Sequence, residues 1–193
     1  MQLRPLTEDD AAMMLRLLNQ PDWLEFVGDR NVHSLEDAGA YLRNGALKAY
    51  ADLGYGPYAV VVGDDVAGIC GLMQRPWLPA ADLGYALLSE FQGRGYAVEA
   101  ARAAAAYARD TLGMPRLLAI VEPTHTRSTR LLTALGFKHM GPVRVPGEAE
   151  DIALYQLDLV ELGTPPSAAE VAVPVASAVE SVVGPTVPTA PPS

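Results

Sequence analysis

Between Phe91 and Ala101 the chain reads FQGRGYAVEAA, and Gln92-Gly93-Arg94-Gly95-Tyr96-Ala97 within it is the stretch best suited to chemistry with an anion. Two glycines just ahead of an alanine-rich run leave backbone N–H groups uncovered, and the first four amides of a helix have no partner inside it. Together with the positive end of the helix dipole they form a seat for a phosphate or pyrophosphate. A tight strand-to-helix connection uses the same residues, so the turn alone carries either reading. The common nucleotide motifs are absent: Val98 stands where a dinucleotide fingerprint wants a small residue, and no Gly-Lys-Ser or Gly-Lys-Thr completes a P-loop. Cys70, the sole cysteine, sits in the apolar run Val66 to Met73 with few charges to lower its pKa, and reads as a buried thiol rather than a nucleophile. His33, His125 and His139 have no paired ligand spacing, so no metal site is expected, and no Gly-x-Ser-x-Gly elbow signals a hydrolase.

The elements that must position this turn follow from pattern. Gln2 to Pro5 reads as a short strand, and Thr7 with Asp10 forms a variant capping box opening an amphipathic helix through about Asn19, stopped by Pro21. Ser34 and Asp37 repeat the device before a second helix, Leu35 to about Tyr50; between the two, WLEFVGDRNV reads as a loop whose aromatics line a pocket. Strands are expected at Pro57 to Val62, Val66 to Arg75 and Ala81 to Leu88, the first two joined by a Gly63-Asp64-Asp65 turn. A helix over Ala97 to Leu112 ends at Gly113, a buried aliphatic strand covers Arg116 to Glu122, and a shorter helix runs from Arg127 to Leu135. Strands at Lys138 to Val145 and Asp151 to Leu159 finish a domain of residues 1–162.

Composition sets outer limits. The 193 residues suffice for one ordinary domain, and with half of them hydrophobic the whole is expected to fold. From Thr164 to Ser193 seven prolines, two glutamates and no Lys, Arg or aromatic residue predict a disordered tail, residues 163–193. A net charge of -9 and a pI near 4.7 argue against nucleic acid as a partner and weakly favour a cationic one. The beginning, MQLRPLTEDD, lacks the apolar core of a signal peptide, and no run is long enough for a membrane span, so a cytoplasmic protein without membrane attachment is expected.

The spacing Gln92-x-x-Gly95-x-Ala97 resembles the (Q/R)-x-x-G-x-(G/A) pyrophosphate turn of the GNAT N-acetyltransferase superfamily. ADLGYALLSEFQGRGYAVEAA upstream and AIVEPTHTRSTRLLTALGF downstream look like that family's fourth strand with third helix and fifth strand with fourth helix. Asp82-Leu-Gly-Tyr85 and Ser128-x-x-Leu-Leu leading to Leu135-Gly-Phe137 are similar to the RimJ/RimL-like subgroup, and the resemblance covers roughly residues 2 to 160.

The resemblance implies an α/β (α+β) fold with a mixed, mostly antiparallel sheet of about seven strands, splayed between strands four and five and flanked by about four helices. Acetyl-coenzyme A would lie in the splay, its pyrophosphate on the amides of Gln92, Gly93, Arg94, Gly95, Tyr96 and Ala97 and its pantetheine against Ala86, Leu87 and Leu88. The implied reaction is attack of a neutral amine on the thioester, the acceptor being a small-molecule amine or a peptide N-terminus. A backbone N–H near Leu87 is the implied donor to the carbonyl oxygen, and Ser128 the donor to the departing sulfur or a simple helix-start residue. Leu132 occupies the place where many relatives carry a tyrosine general acid. Asp82 would face the acceptor, binding its cation or taking its proton through water, unless it merely pairs with Arg30 or Arg75. His125, where relatives have asparagine, would contact coenzyme A or act as a turn residue; Arg94, Arg127 and Arg130 would cluster about the phosphates, and Arg30 would line the acceptor segment. Because Leu132 and His125 replace polar residues, a non-catalytic coenzyme A sensor is the competing expectation. A scaffold that recruits partners through its tail would bind no coenzyme A.

Overall fold

The computed structural model describes residues 1–160, so the expected tail lies outside the described residues. One seven-stranded mixed sheet, in the order β1-β2-β3-β4-β5-β7-β6, organises the chain. Its strands are β1 (Gln2–Pro5), β2 (Pro57–Val62), β3 (Asp65–Met73), β4 (Asp82–Leu87), β5 (Arg116–Val121), β6 (Lys138–Arg144) and β7 (Asp151–Asp158). Every neighbouring pair is antiparallel except β4 and β5, which run parallel. That parallel pair meets at one register position, Asp82 opposite Leu118, secured by the Leu118 N–H donating to the Ala81 carbonyl at 2.9 Å. Beyond it the two strands diverge, which is the splay the resemblance implied.

The α-helices are α1 (Ala11–Leu18), α2 (Pro21–Phe26), α3 (Leu35–Leu42), α4 (Lys48–Leu53), α5 (Tyr96–Asp110) and α6 (Thr126–Ala134). A π-helical turn, Arg43–Leu47, joins α3 to α4, so the expected second helix is continuous but locally widened midway and runs three residues past Tyr50. Both capping devices form: the Thr7 N–H donates to Asp10 at 2.9 Å, and Ser34 Oγ accepts from the Asp37 N–H at 3.1 Å. One expectation fails. The segment read as a loop opens with α2, because Pro21 does not break a helix there but starts one, its fixed φ suiting the first helical position where no N–H is needed. This adds a helix to the expected four.

Alternation along the strands sends side chains to two separate cores. Tyr58, Val60, Cys70, Leu72, Leu83 and Leu87 pack on one face against α5 and α6, while Ala59, Val61, Ile69 and Ala86 face α1, α2 and α3 on the other. The alanines of α5 have a packing purpose: Ala100, Ala101, Ala104 and Ala108 are almost fully buried and let the helix axis approach the sheet closely. Each fully buried aliphatic such as Leu72 or Leu117 contributes roughly 1.5–3 kcal/mol. Cys70 belongs to the first core, with no exposed surface, and burial pushes its thiol up to about 12, so it is the structural thiol expected. Among the described residues no helix is long and apolar enough to cross a membrane.

Candidate active site

A cavity of about 870 Å³ occupies the splay, within the usual range of small-molecule sites at about 300–1,000 Å³. Register places its two ends on opposite faces of the sheet. Leu83, Tyr85 and Leu87 of β4 share the α5/α6 face; Asp82, Gly84 and Ala86 share the α1–α3 face. Both sets line the cavity, so it passes through the sheet where β4 and β5 part.

At one end lies the glycine turn. After β4 a short 3-10 turn, Ser89–Phe91, leads into Gln92, and Gly93 and Gly95 adopt φ of 73° and 86° before α5 begins. Gly95 is the N-cap residue of α5 and offers no side-chain cap, so the amides that follow stay uncovered. A Cβ on either glycine would meet nothing within 4 Å, so the space in front of the turn is open and the glycines are there for backbone conformation. Gln92, Gly93, Gly95, Tyr96 and Ala97 line the cavity. Two of the expected contacts do not: the Arg94 side chain is exposed and outside the lining, and Leu88 is turned into the core beneath α1. Leu88 is the residue after the strand, and its N–H is already given to the Ala67 carbonyl at 2.8 Å.

That hydrogen bond fixes the direction of its neighbours. In an antiparallel pair, backbone groups alternate between facing the partner and facing away, so with Leu88 bonded to β3 the amides of Leu83, Tyr85 and Leu87 face the splay. The Ala81 carbonyl, bonded to β5, has the same parity. The Leu87 carbonyl accepts from Gln20 Nε2 at 2.9 Å and Gln92 Nε2 at 3.0 Å. An incoming strand-like ligand therefore finds the Leu87 N–H pointing at it, while the matching acceptor is already filled by two glutamine side chains.

In mid-strand, Tyr85 reaches α6: its hydroxyl lies 2.8 Å from Ser128 Oγ. Burial raises the Tyr85 pKa above its ordinary value, the Ser128 contact partly opposing this, so the phenol stays protonated, and either hydroxyl of the pair can be the donor. Leu132, one turn beyond Ser128, is 1% exposed and lies in the apolar core. Sequence reasoning missed Tyr85 as a polar group of the site, because its partner lies 43 residues away and only the register of β4 brings it to face α6.

His125 is the N-cap residue of α6; its Nδ1 accepts from the Ser128 N–H at 3.4 Å, and its ring stacks on Phe26 with centroids 4.0 Å apart. Burial and the nearby Arg127 charge lower its pKa, which keeps Nδ1 an acceptor near neutrality. It therefore serves the turn, the second of the two expected roles, and it also lines the cavity. Arg127 donates to Gln92 Oε1 at 2.8 Å and to Asp22 at 2.5 Å, tying α2, the glycine turn and α6 together at the cavity mouth. Arg130 is exposed on the lining beside it.

Asp82 is 1% exposed at the far end of β4. Five residue steps along β4 separate it from Leu87, about 17 Å of extended chain. Arg75 Nε donates to both its oxygens at 3.0 and 3.1 Å. Burial raises the Asp82 pKa and the Arg75 charge opposes this, the net being upward. Of the two arginines weighed as partners, Arg75 is the one that pairs; Arg30 lines the same end and donates to the Val27 carbonyl at 3.1 Å. Among the described residues no three His, Cys, Asp or Glu side chains group as metal ligands would. Also among them, Trp23 Nε1 is the buried side-chain polar atom without a partner.

Residues 1–138 match the family model of the acetyltransferase (GNAT) domain. An uncharacterized N-acetyltransferase p20 of Bacillus licheniformis is 26% identical over 165 residues, covering 80% of this chain and 90% of the relative. An acetyltransferase structure from Agrobacterium tumefaciens is 26% identical with a TM-score of 0.66, over 80% of this chain and 88% of the other. A Mycobacterium smegmatis RimJ solved with CoA-disulfide has the same fold, at 24% identity and a TM-score of 0.69 over 84% and 83% of the two chains.

Proposed function

Since the chain belongs to the GNAT acetyltransferase family and is an acyltransferase, we propose that it transfers an acetyl group from acetyl-coenzyme A, the donor this family uses, to the amine of a small molecule or a peptide N-terminus. The observation that carries this reading is a cavity through the opened sheet, with an uncapped helix N-terminus at one end and a separately lined chamber at the other. Two substrates entering from opposite faces meet between β4 and β5, so direct attack needs no covalent enzyme intermediate. A RimJ of the same fold was solved with CoA-disulfide, which supports a coenzyme A ligand and the RimJ/RimL-like comparison.

The residues present fit coenzyme A. The open glycine turn and the α5 amides suit a diphosphate, with Arg127 and Arg130 beside them; Arg94 contributes its backbone rather than its side chain. The extended edge of β4 suits the pantetheine arm, entering as an added strand. When bound, the donor supplies a thioester carbonyl to be attacked.

The chain's own groups divide the remaining work. The Leu87 N–H, aimed into the splay, donates to the carbonyl oxygen as charge develops there. Ser128 gives a proton to the departing sulfur and regains one from water, and Tyr85, 2.8 Å from Ser128 Oγ, acts as the donor of that contact and so turns the serine hydroxyl hydrogen toward the cleft. Asp82, with its pKa raised by burial, takes up the proton the amine gives off, directly or through one water, while Arg75 holds the carboxylate in place.

A coenzyme A sensor without turnover is the second reading, favoured by Leu132, which cannot give a proton. Thiol release from acetyl-coenzyme A across an amine library separates the two. Release with some amines supports transfer; tight coenzyme A binding with no release for any amine favours the sensor.

A further inference from the structure

The acceptor end of the cavity has an electrostatic character opposite to that of the whole chain. Asp82, the buried acid there, is neutralised by Arg75. Asp22, nearer the mouth, is held by Arg127. Arg30 is different: it lines the cavity, its hydrogen bond goes to the Val27 carbonyl within its own turn, and among the described residues it makes no ion pair. The acid next to it in sequence, Asp29, accepts from the Asn31 N–H at 2.7 Å and lies 3.6 Å from His33 Nε2. Tyr41 adds a hydroxyl to this end of the lining. Burial raises the pKa of that hydroxyl, and the charges of Arg30 and Arg75, which line the same cavity, both act to lower it.

Glu122, which also lines the cavity, follows β5 four residues past Leu118, the position opposite Asp82, about 13 Å along the chain toward the mouth. A simple ammonium held beside Asp82 therefore meets two guanidinium groups and one carboxylate, a net repulsion. An amine that also carries a carboxylate meets a matched site. We propose that the acceptor is such an amine, one bearing a carboxylate a few bonds from the nitrogen it presents, and that Arg30 receives the carboxylate while Asp82 faces the nitrogen. The proposal rests on the acetyl-transfer reading of the cleft and narrows it. A planar guanidinium takes a carboxylate through two parallel hydrogen bonds, which fixes orientation as well as affinity. The positive surroundings have a second effect: they lower the pKa of the bound ammonium, so more of it is present as the free amine that attacks. The net charge of -9 resides elsewhere on the molecule and does not set the sign of this chamber.

The test uses the full chain with acetyl-coenzyme A and acceptors in matched sets: α-amino acids, their carboxamides, the corresponding decarboxylated amines, and dipeptide amides with Asp or Glu as second residue. Thiol release is expected to show kcat/KM about tenfold or more higher for a carboxylate-bearing member than for its neutral counterpart. Preference for free amino acids over the acidic dipeptides identifies a small molecule as the source of the carboxylate; the reverse identifies a peptide. Arg30→Gln should bring the carboxylate-to-amide ratio to about one, and Arg30→Glu should reverse it. A second measurement stands apart from turnover: calorimetric titration of the coenzyme A-loaded protein with N-acetylated amino acids and their amides, in wild type and Arg30→Gln. Thiol release without carboxylate preference overturns the proposal and leaves acetyl transfer intact. Carboxylate binding that depends on Arg30, without thiol release from any amine, overturns acetyl transfer and with it the acceptor proposal, and leaves Arg30 as a carboxylate-binding residue only. Carboxylate and amide ligands that bind equally, or not at all, overturn the proposal.

Discussion

Replacing Tyr85 with phenylalanine tests the proton route to the sulfur. The ring stays packed against the first core and one hydrogen bond, the 2.8 Å contact to Ser128 Oγ, is lost. Between neutral groups that contact is worth about 0.5–1.5 kcal/mol, and as negative charge builds on the sulfur the serine it aims becomes a charge-assisted donor of about twice the strength. The expected loss is therefore about tenfold in kcat, since about 1.4 kcal/mol is one factor of ten. KM for acetyl-coenzyme A should hold, because neither the glycine turn nor the Leu87 amide is touched. Ser128→Ala alone should cost about a hundredfold, the low end for a general acid. The double variant should be no slower than Ser128→Ala, because Tyr85 acts only through the serine. The assay is thiol release at saturating acceptor with both singles and the double, checked for equal coenzyme A affinity by calorimetry. Effects that multiply in the double, or a Tyr85→Phe enzyme as fast as wild type, refute the coupling. The pH dependence gives a second check. Burial holds the Tyr85 pKa above its ordinary 10.0, so the phenol remains a donor up to at least that pH; a fall in kcat at lower pH must persist in Tyr85→Phe.

Other outcomes follow from the same geometry. Gly95→Glu forces a side chain onto a residue at φ 86° and sets a carboxylate before the α5 amides, so coenzyme A should bind at least about tenfold more weakly in calorimetry, with helix content by circular dichroism unchanged. Asp82→Asn should lower kcat by about a hundredfold while sparing coenzyme A affinity; because the native carboxyl has a raised pKa, the acid limb of the wild-type profile should vanish in the variant, and retained turnover across pH would make Asp82 structural. For Asp10, burial acts to raise the pKa, but the Arg4 pair and the Thr7 N–H outweigh it and the net is downward. Its stabilisation is present above the ordinary 3.8 and lost as pH falls through the lower folded value, so Asp10→Asn should cost about 2 kcal/mol in urea melts at pH 7 and little at the acid end. Cys70, fully buried with its thiol pushed up to about 12, should resist a disulfide reagent until the protein is unfolded.

Local features are legible in the amino-acid sequence because their causes are local. The capping pairs Thr7/Asp10 and Ser34/Asp37 need only a few neighbouring residues, and both form. The turn from Gln92 to Ala97 needs only glycine's tolerance of positive φ ahead of a helix, and both glycines adopt it. Strand alternation follows from side-chain type, which is why the seven strands fall close to their expected positions. Pro21 misleads because the same ring that ends one helix can begin another, and the choice depends on what Trp23 finds to pack against in the second core. The tyrosine behind the serine and the clasp from Arg127 to Asp22 have no signal in the string of residues. Arg127 and Asp22 are 105 residues apart, and Tyr85 and Ser128 are 43 apart. Such pairs exist only once the register of β3, β4 and β5 is fixed; a slip of one residue in β4 would turn Tyr85 to the acceptor face and Asp82 to the donor face. Sequence alone determined which backbone could seat an anion and which segments would become strands and helices, because those preferences act over a few residues. Tertiary structure decided which charges remain unpaired at the acceptor end and which hydroxyl backs Ser128, because both depend on how the sheet closes at Asp82 and opens beyond it.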